Sequence, residues 1–216
     1  MDRNKIEILP YSFNSLSYRL PDPEILSYKK NRSAFLFVGA LCKRKGVDVL
    51  LKAFSMNFKG NMKWCLILVG NKNKDLDCEE LVCKLGIQDQ VLFRGVISST
   101  DIMSAYSAAD VFILPSRHDG WGMVVNEALY CNKPIIVSDA VSASTHLVKD
   151  NYNGYIFKSN NVYDLSTQMS QYKKESLILE HSSHSRAIFE SYNSESLAMN
   201  LVKILQKWSD ENENIN

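Results

Sequence analysis

The chain has 216 residues, with 25 Lys and Arg against 24 Asp and Glu and a formal net charge of +1 at pH 7. That length suits one domain with appendages rather than two full domains, and the balanced charge excludes a global field for nucleic acid or an anionic membrane, so any anion has to be bound locally. MDRNKIEILP lacks the apolar core of a signal peptide, and no segment approaches the roughly 18 apolar residues of a membrane span, so a cytoplasmic protein with at most peripheral membrane contact is expected.

In chain order, ILPYSFN reads as a connecting strand and LPDPEILSYKKN as a Pro-bearing linker, which makes 1–31 a connector. Short apolar runs follow at 34–38 (AFLFV), 64–69 (WCLILV), 91–93, 111–114 (VFIL) and 134–137. They alternate with helical spacing beginning at Val47, Glu79, Asp101 and Val124. Repeated strand and helix predict an α/β fold: a single Rossmann-like, doubly wound parallel sheet with helices on both faces, over 32–192. After YIF at Tyr155 only helical patterns remain, at 165–172, 175–192 and 195–208, so 193–216 is expected to be a C-terminal helix with a frayed polar tail. The cysteines, Cys42, Cys65, Cys78, Cys83 and Cys131, are odd in number and lack the paired spacing of a zinc site. They are expected to be reduced apolar fillers, with no metal bound.

Ligands of such sheets bind beyond the carboxyl ends of the strands. After the first strand comes GALCKRKG, with Gly39 and Gly46 framing three cations ahead of a helix. Bare amides and a helix N-terminus there suit a phosphate, although a basic surface loop would read the same way. Neither a dinucleotide fingerprint nor a P-loop is present. After the fourth strand comes PSRHDGWGMVVNEAL, in which Gly120 and Gly122 bracket Trp121 and free the amides up to Met123 and Val124 to face a ligand. Glu127 follows Asp119 by eight positions, about two turns at 3.6 residues per turn, so both carboxylates are expected to address one ligand. A carboxylate there can accept two hydrogen bonds from a ribose diol. The competing reading makes Asp119 a helix cap, Glu127 a solvated face residue and His118 a surface histidine.

The stretch 34–157 resembles the C-terminal domain of family 4 (glycosyl transferases group 1) enzymes of the GT-B fold. Their E-x7-E motif appears here as DGWGMVVNEA, followed by NKPII, and FVGALCKRKGVDVLLKAF, VLFRGVISSTDIMSAYSAADVFILPS and HLVKDNYNGYIF keep the family order. The resemblance implies that Glu127 holds the ribose and Lys45 the diphosphate. It also implies that the amides of Gly120, Trp121, Gly122, Met123 and Val124 meet phosphate and sugar, and that Gly95, Val96 and Ile97 border the nucleobase. The family's arginine after the first glycine is replaced by Ala40, with Arg44 as a substitute cation, and its first motif glutamate is Asp119. No cofactor or metal is implied; the donor is a nucleotide-diphosphate sugar, transferred with retention to a hydroxyl, as in polysaccharide assembly.

The family's N-terminal acceptor domain has no counterpart in this sequence, whose first 31 residues resemble the interdomain connector. Leu197, Leu201, Leu205 and Trp208 on the C-terminal helix are expected to form an exposed apolar face, for an acceptor-domain polypeptide or a second copy. An inactive nucleotide-sugar-binding fragment and a subunit of a split glycosyltransferase remain alternatives. An epimerase of the same architecture lacks the motif order.

Overall fold

A computed structural model describes residues 19–213. The expected strand at ILPYSFN and the end of the polar tail lie outside the described residues.

Six strands, β1 Ser33–Val38, β2 Trp64–Val69, β3 Val91–Gly95, β4 Val111–Leu114, β5 Ile135–Ser138 and β6 Gly154–Phe157, form one parallel sheet in the order β3-β2-β1-β4-β5-β6. Around them the chain forms α1 Pro23–Lys29, α2 Val47–Phe58, α3 Cys78–Leu85, α4 Met103–Ala108, α5 Met123–Tyr130, α6 Ser144–Leu147, α7 Val162–Gln171, α8 Ser176–Tyr192 and α9 Ser194–Glu213. From β1 the crossovers run toward β2, and from β4 toward β5, in opposite directions across the sheet. Right-handed connections then place the two sets of helices on opposite faces. Accordingly α2 packs on α3 and α7, while α1 packs on α4, α4 on α5 and α5 on α8.

Burial on both faces explains why the inner strands show no alternation: every residue of β2, β4 and β5 is buried. Phe35 stacks on Trp64 at 4.5 Å and meets Phe58 edge-on at 5.2 Å, locking α2 onto β1 and β2. Each such aromatic pair adds about 0.5–1.5 kcal/mol beyond its buried area.

The structure departs from expectation at several places. Residues 23–29, read as linker, form α1: the Asp22 side chain accepts from the Ile25 N–H at 2.9 Å, and Pro23 occupies the first turn, where its missing N–H costs nothing. Asp22 also pairs with Arg94 at 3.0 Å, which pins α1 to β3. β3 itself runs on to Gly95 through a register shift opposite Leu68 and Val69. α9 continues past Trp208 to Glu213. Leu197 is buried against the body, whereas Met199, Leu201, Val202, Leu205 and Trp208 are exposed. Finally, all five cysteines are free, but Cys83 is exposed and fills no core position, in contrast to buried Cys42, Cys65 and Cys78.

Candidate functional site

In an open sheet the binding crevice lies where neighbouring strands send their chains to opposite sides. Here that point is between β1 and β4, and the loops flanking it are 39–46 and 115–122.

These loops are in direct contact. Gly46 caps α2 at φ 72, and a Cβ on it would fall 1.9 Å from the Pro115 carbonyl oxygen, so only glycine lets the loops approach this closely. The Arg117 N–H donates to the Arg44 carbonyl at 2.9 Å, and Arg44 Nη1 donates to the His118 carbonyl at 3.3 Å. The Arg117 guanidinium also donates to both Asp48 oxygens in the first turn of α2, at 2.7 and 2.8 Å, and to the Lys43 carbonyl. Burial alone would lift the Asp48 carboxyl, yet the Arg117 fork outweighs it and holds the group below the usual carboxylate range.

Across the seam Lys45 Nζ donates to Asp119 Oδ2 at 2.5 Å, with both side chains mostly covered at 16% and 14% exposure. The Ser116 hydroxyl stands 3.5 Å from the same oxygen. Asp119 is neither a cap nor helical. Its N–H donates to the Ala140 carbonyl, it forms a parallel bridge with Val141, and Gly122, at φ 89, caps α5 instead. The two-turn spacing expected between Asp119 and Glu127 therefore does not hold, because only the part from Met123 onward is helix. Gly122 has no room for a side chain: a Cβ there would lie 2.6 Å from Val141 Cγ1.

The first amides of α5 have no acceptor within the helix, and they carry its positive dipole end toward the crevice. Trp121, between the glycines, is fixed by its own contacts: its indole N–H donates to Asn126 Oδ1 at 2.8 Å, and its ring stacks on His146 at 5.8 Å. What this turn can offer a ligand is backbone, with Met123 partly exposed beside it. His118 and Arg44 stand on the exposed rim.

Glu127 sits on the second turn of α5, and its partner is Tyr106 of α4, whose hydroxyl donates to Oε2 at 2.8 Å. Burial lifts the Glu127 carboxyl above its ordinary range, and the Tyr106 hydrogen bond opposes only part of that. Glu127 is thus neither a solvated face residue nor bonded to Asp119 or Lys45. Gly95, Val96 and Ile97 lie on the same carboxyl edge, two strands from β1. The Gly95 carbonyl accepts from the Gly70 N–H at 2.9 Å, and Gly70 is pressed against the Gly39 carbonyl, where a Cβ would come within 1.9 Å. Val96 is 70% exposed, and Ile97 packs partly against the core.

Arg117, Asp48, Ser116 and Tyr106 were not singled out by sequence reasoning. Their partners are distant in sequence, 69 positions for Arg117 with Asp48 and 21 for Tyr106 with Glu127, and no local motif encodes such pairs. Among the described residues no three His, Cys, Asp or Glu side chains are placed to share a metal ion. A 290 Å³ hollow lined by Lys72, Lys74, Asp77, Cys78 and Glu79 lies beside α3, but its Lys72 and Glu79 satisfy each other at 2.6 Å. Convergent polar groups, rather than size, make the β1/β4 crevice the candidate site.

Residues 21–188 match the model of the family described as glycosyl transferases group 1. An uncharacterized glycosyltransferase of Haemophilus influenzae is 28% identical over 181 residues, covering 83% of this chain and 49% of that protein. The chain spans about half the length of the first curated relatives it matches. Among solved structures, Anabaena HepE in complex with UDP superposes with a TM-score of 0.73 at 20% identity, covering 86% of this chain and 53% of that one. The C-terminal domain of the Francisella tularensis group 1 glycosyl transferase LpcC gives 0.69 at 21% identity, covering 81% of this chain and 96% of that domain. At these identities the superpositions establish the fold.

Proposed function

We propose that this chain, which belongs to the glycosyl transferases group 1 family, is the donor-binding half of a retaining glycosyltransferase, and that it holds a nucleotide-diphosphate sugar in the crevice between β1 and β4. The observation that carries this reading is the joined pair of loops. Lys45 and Asp119 meet at 2.5 Å from opposite sides of the seam, beside the open amides at the start of α5. HepE, of the same fold, was solved with UDP.

An ammonium has three N–H donors, and Asp119 takes one from Lys45, which leaves the others for diphosphate oxygens. The free Asp119 oxygen then accepts from a hydroxyl of the donor sugar. Glu127 takes the ribose hydroxyls, and Gly95, Val96 and Ile97 flank the base. In the transfer, the bond from the anomeric carbon to the diphosphate breaks with its electron pair leaving on the diphosphate. The acceptor oxygen bonds to that carbon, and its proton passes to the departing diphosphate oxygen. Negative charge grows on the leaving group beside Lys45, Arg44 and the α5 amides, where preorganised donors contribute most. Retention is the outcome that the family resemblance implies.

An acceptor lobe facing the crevice completes the enzyme in this reading. The exposed Leu201, Val202 and Leu205 of α9 provide an apolar strip against which such a lobe, or another chain, can dock. Calorimetric titration with UDP-, GDP- and ADP-sugars tests the donor assignment. Lys45→Ala is expected to weaken the preferred nucleotide about 10- to 100-fold, the worth of a charge-assisted contact. Unchanged affinity would remove Lys45 from the site.

A further inference from the structure

The Tyr106 hydroxyl lies 2.8 Å from Glu127 Oε2 and 3.3 Å from the Val124 carbonyl. A phenol has one proton to donate, and the shorter, charge-assisted contact takes it. The residue is fully buried, and its ring packs on Phe112 at 5.5 Å, so the hydroxyl can neither swing away nor be replaced by water. We propose that Tyr106 is a positioning residue for nucleotide binding: by donating to Oε2 it fixes the Glu127 carboxylate so that Oε1 and the remaining lone pair of Oε2 face the vicinal hydroxyls of a ribose. This rests on the reading of Glu127 as the ribose contact.

Two facts make the contact necessary rather than incidental. First, Glu127 is desolvated, and burial pushes its carboxyl toward the protonated form, which offers a diol fewer acceptor positions. Second, Tyr106 is the group that opposes this. Neither α4 nor α5 contains a Lys or Arg. The thiol of Cys131, at the end of α5, is pushed up to about 11 by burial and is neutral at pH 7. Lys133, close to that thiol, donates to the Ala109 carbonyl at 2.7 Å and is not among the groups that shift Glu127. Tyr106 is itself held well above the ordinary tyrosine range, by burial first and then by the neighbouring Glu127, so its proton remains available at every working pH.

The test uses the full chain and Tyr106→Phe, which keeps the buried ring and removes only the hydroxyl. With ¹³C-labelled glutamate carboxyls, and Glu127→Gln to assign the resonance, the Glu127 titration midpoint is expected to rise in Tyr106→Phe. In calorimetry the preferred ribonucleoside diphosphate is expected to weaken about tenfold, the loss of one hydrogen bond to a charged group. Its 2′,3′-dideoxy analogue should be unaffected, and the ribonucleotide loss should deepen as pH falls. In the Glu127→Gln background, Tyr106→Phe should add nothing. A stationary midpoint, an equal loss for both nucleotides, or an additive loss in the double variant would overturn the proposal. Should the wild type bind no nucleoside diphosphate while the midpoint still moves, the donor reading falls and takes the nucleotide role of Tyr106 with it. A stationary midpoint with nucleotide binding intact overturns the Tyr106 assignment alone.

Discussion

Replacing Gly46 by alanine isolates the contact on which the crevice depends. Gly46 has φ 72 and Gly60 has φ 74, so alanine pays the same left-handed backbone penalty at either position, about 1–2 kcal/mol. Their surroundings differ completely. A Cβ on Gly60 meets nothing within 4 Å, whereas one on Gly46 would sit 1.9 Å from the Pro115 carbonyl oxygen and 2.8 Å from its carbon. Backbone cannot rotate aside like a flexible side chain, so Gly46→Ala has to push the β1 and β4 loops apart, adding roughly 1–3 kcal/mol as overpacking does elsewhere. Urea unfolding is therefore expected to show Gly60→Ala destabilised by about 1–2 kcal/mol and Gly46→Ala by about 2–5 kcal/mol. Calorimetry should show nucleotide affinity reduced only in Gly46→Ala, because only there do Lys45 and Asp119 separate. Equal destabilisation of the two variants would refute the claim that close approach of the loops, and not chain geometry, makes Gly46 necessary.

Arg117→Ala should cost about 1–3 kcal/mol by leaving Asp48 without its fork. Asp48 is held low in the folded protein, so its stabilising contribution is present above its unfolded pKa and is lost as pH falls through the folded value. Without Arg117 that carboxyl loses its main opposition to burial and rises, and the onset of acid unfolding, followed by circular dichroism, should move to higher pH. Thiol labelling of the native protein should modify exposed Cys83 first. Cys65 and Cys78, both buried and pushed up to about 11, should react only on unfolding, and early labelling of Cys65 would contradict the packing of β2. Leu201→Glu with Leu205→Glu should change stability by no more than about 0.5 kcal/mol, since both side chains are exposed. If α9 is a docking strip, light scattering should show these changes reducing association with a second copy or an added acceptor lobe.

Most of the fold was legible because buried parallel strands leave an unambiguous mark. WCLILV and VFIL became β2 and β4 with the bounds expected of them. Where local signals compete, reading failed. The Asp-Pro-Glu at 22–24 is a helix start, but Pro21, Pro23 and its place before the first apolar run suggested a linker, and only the Arg94 pairing from β3 reveals why α1 is ordered. α6, of 4 residues, is too short to show a period. Within the site, the glycine turns and the cation-bearing loop were visible as patterns, and the structure brings Lys45 and Asp119 together. The carboxylate spacing was misjudged because the motif spans a non-helical turn that Gly122 ends. Tyr106 could not be found from sequence, since its bond to Glu127 depends on how α4 packs on α5.

The most direct test of the donor-site assignment is a crystal structure with the preferred nucleoside diphosphate bound. The diphosphate is expected within hydrogen-bonding distance of Lys45 Nζ and the amides that open α5, with the ribose at Glu127. Density for the diphosphate in the hollow beside α3, against Lys72 and Lys74, with the crevice between β1 and β4 empty, would contradict the account.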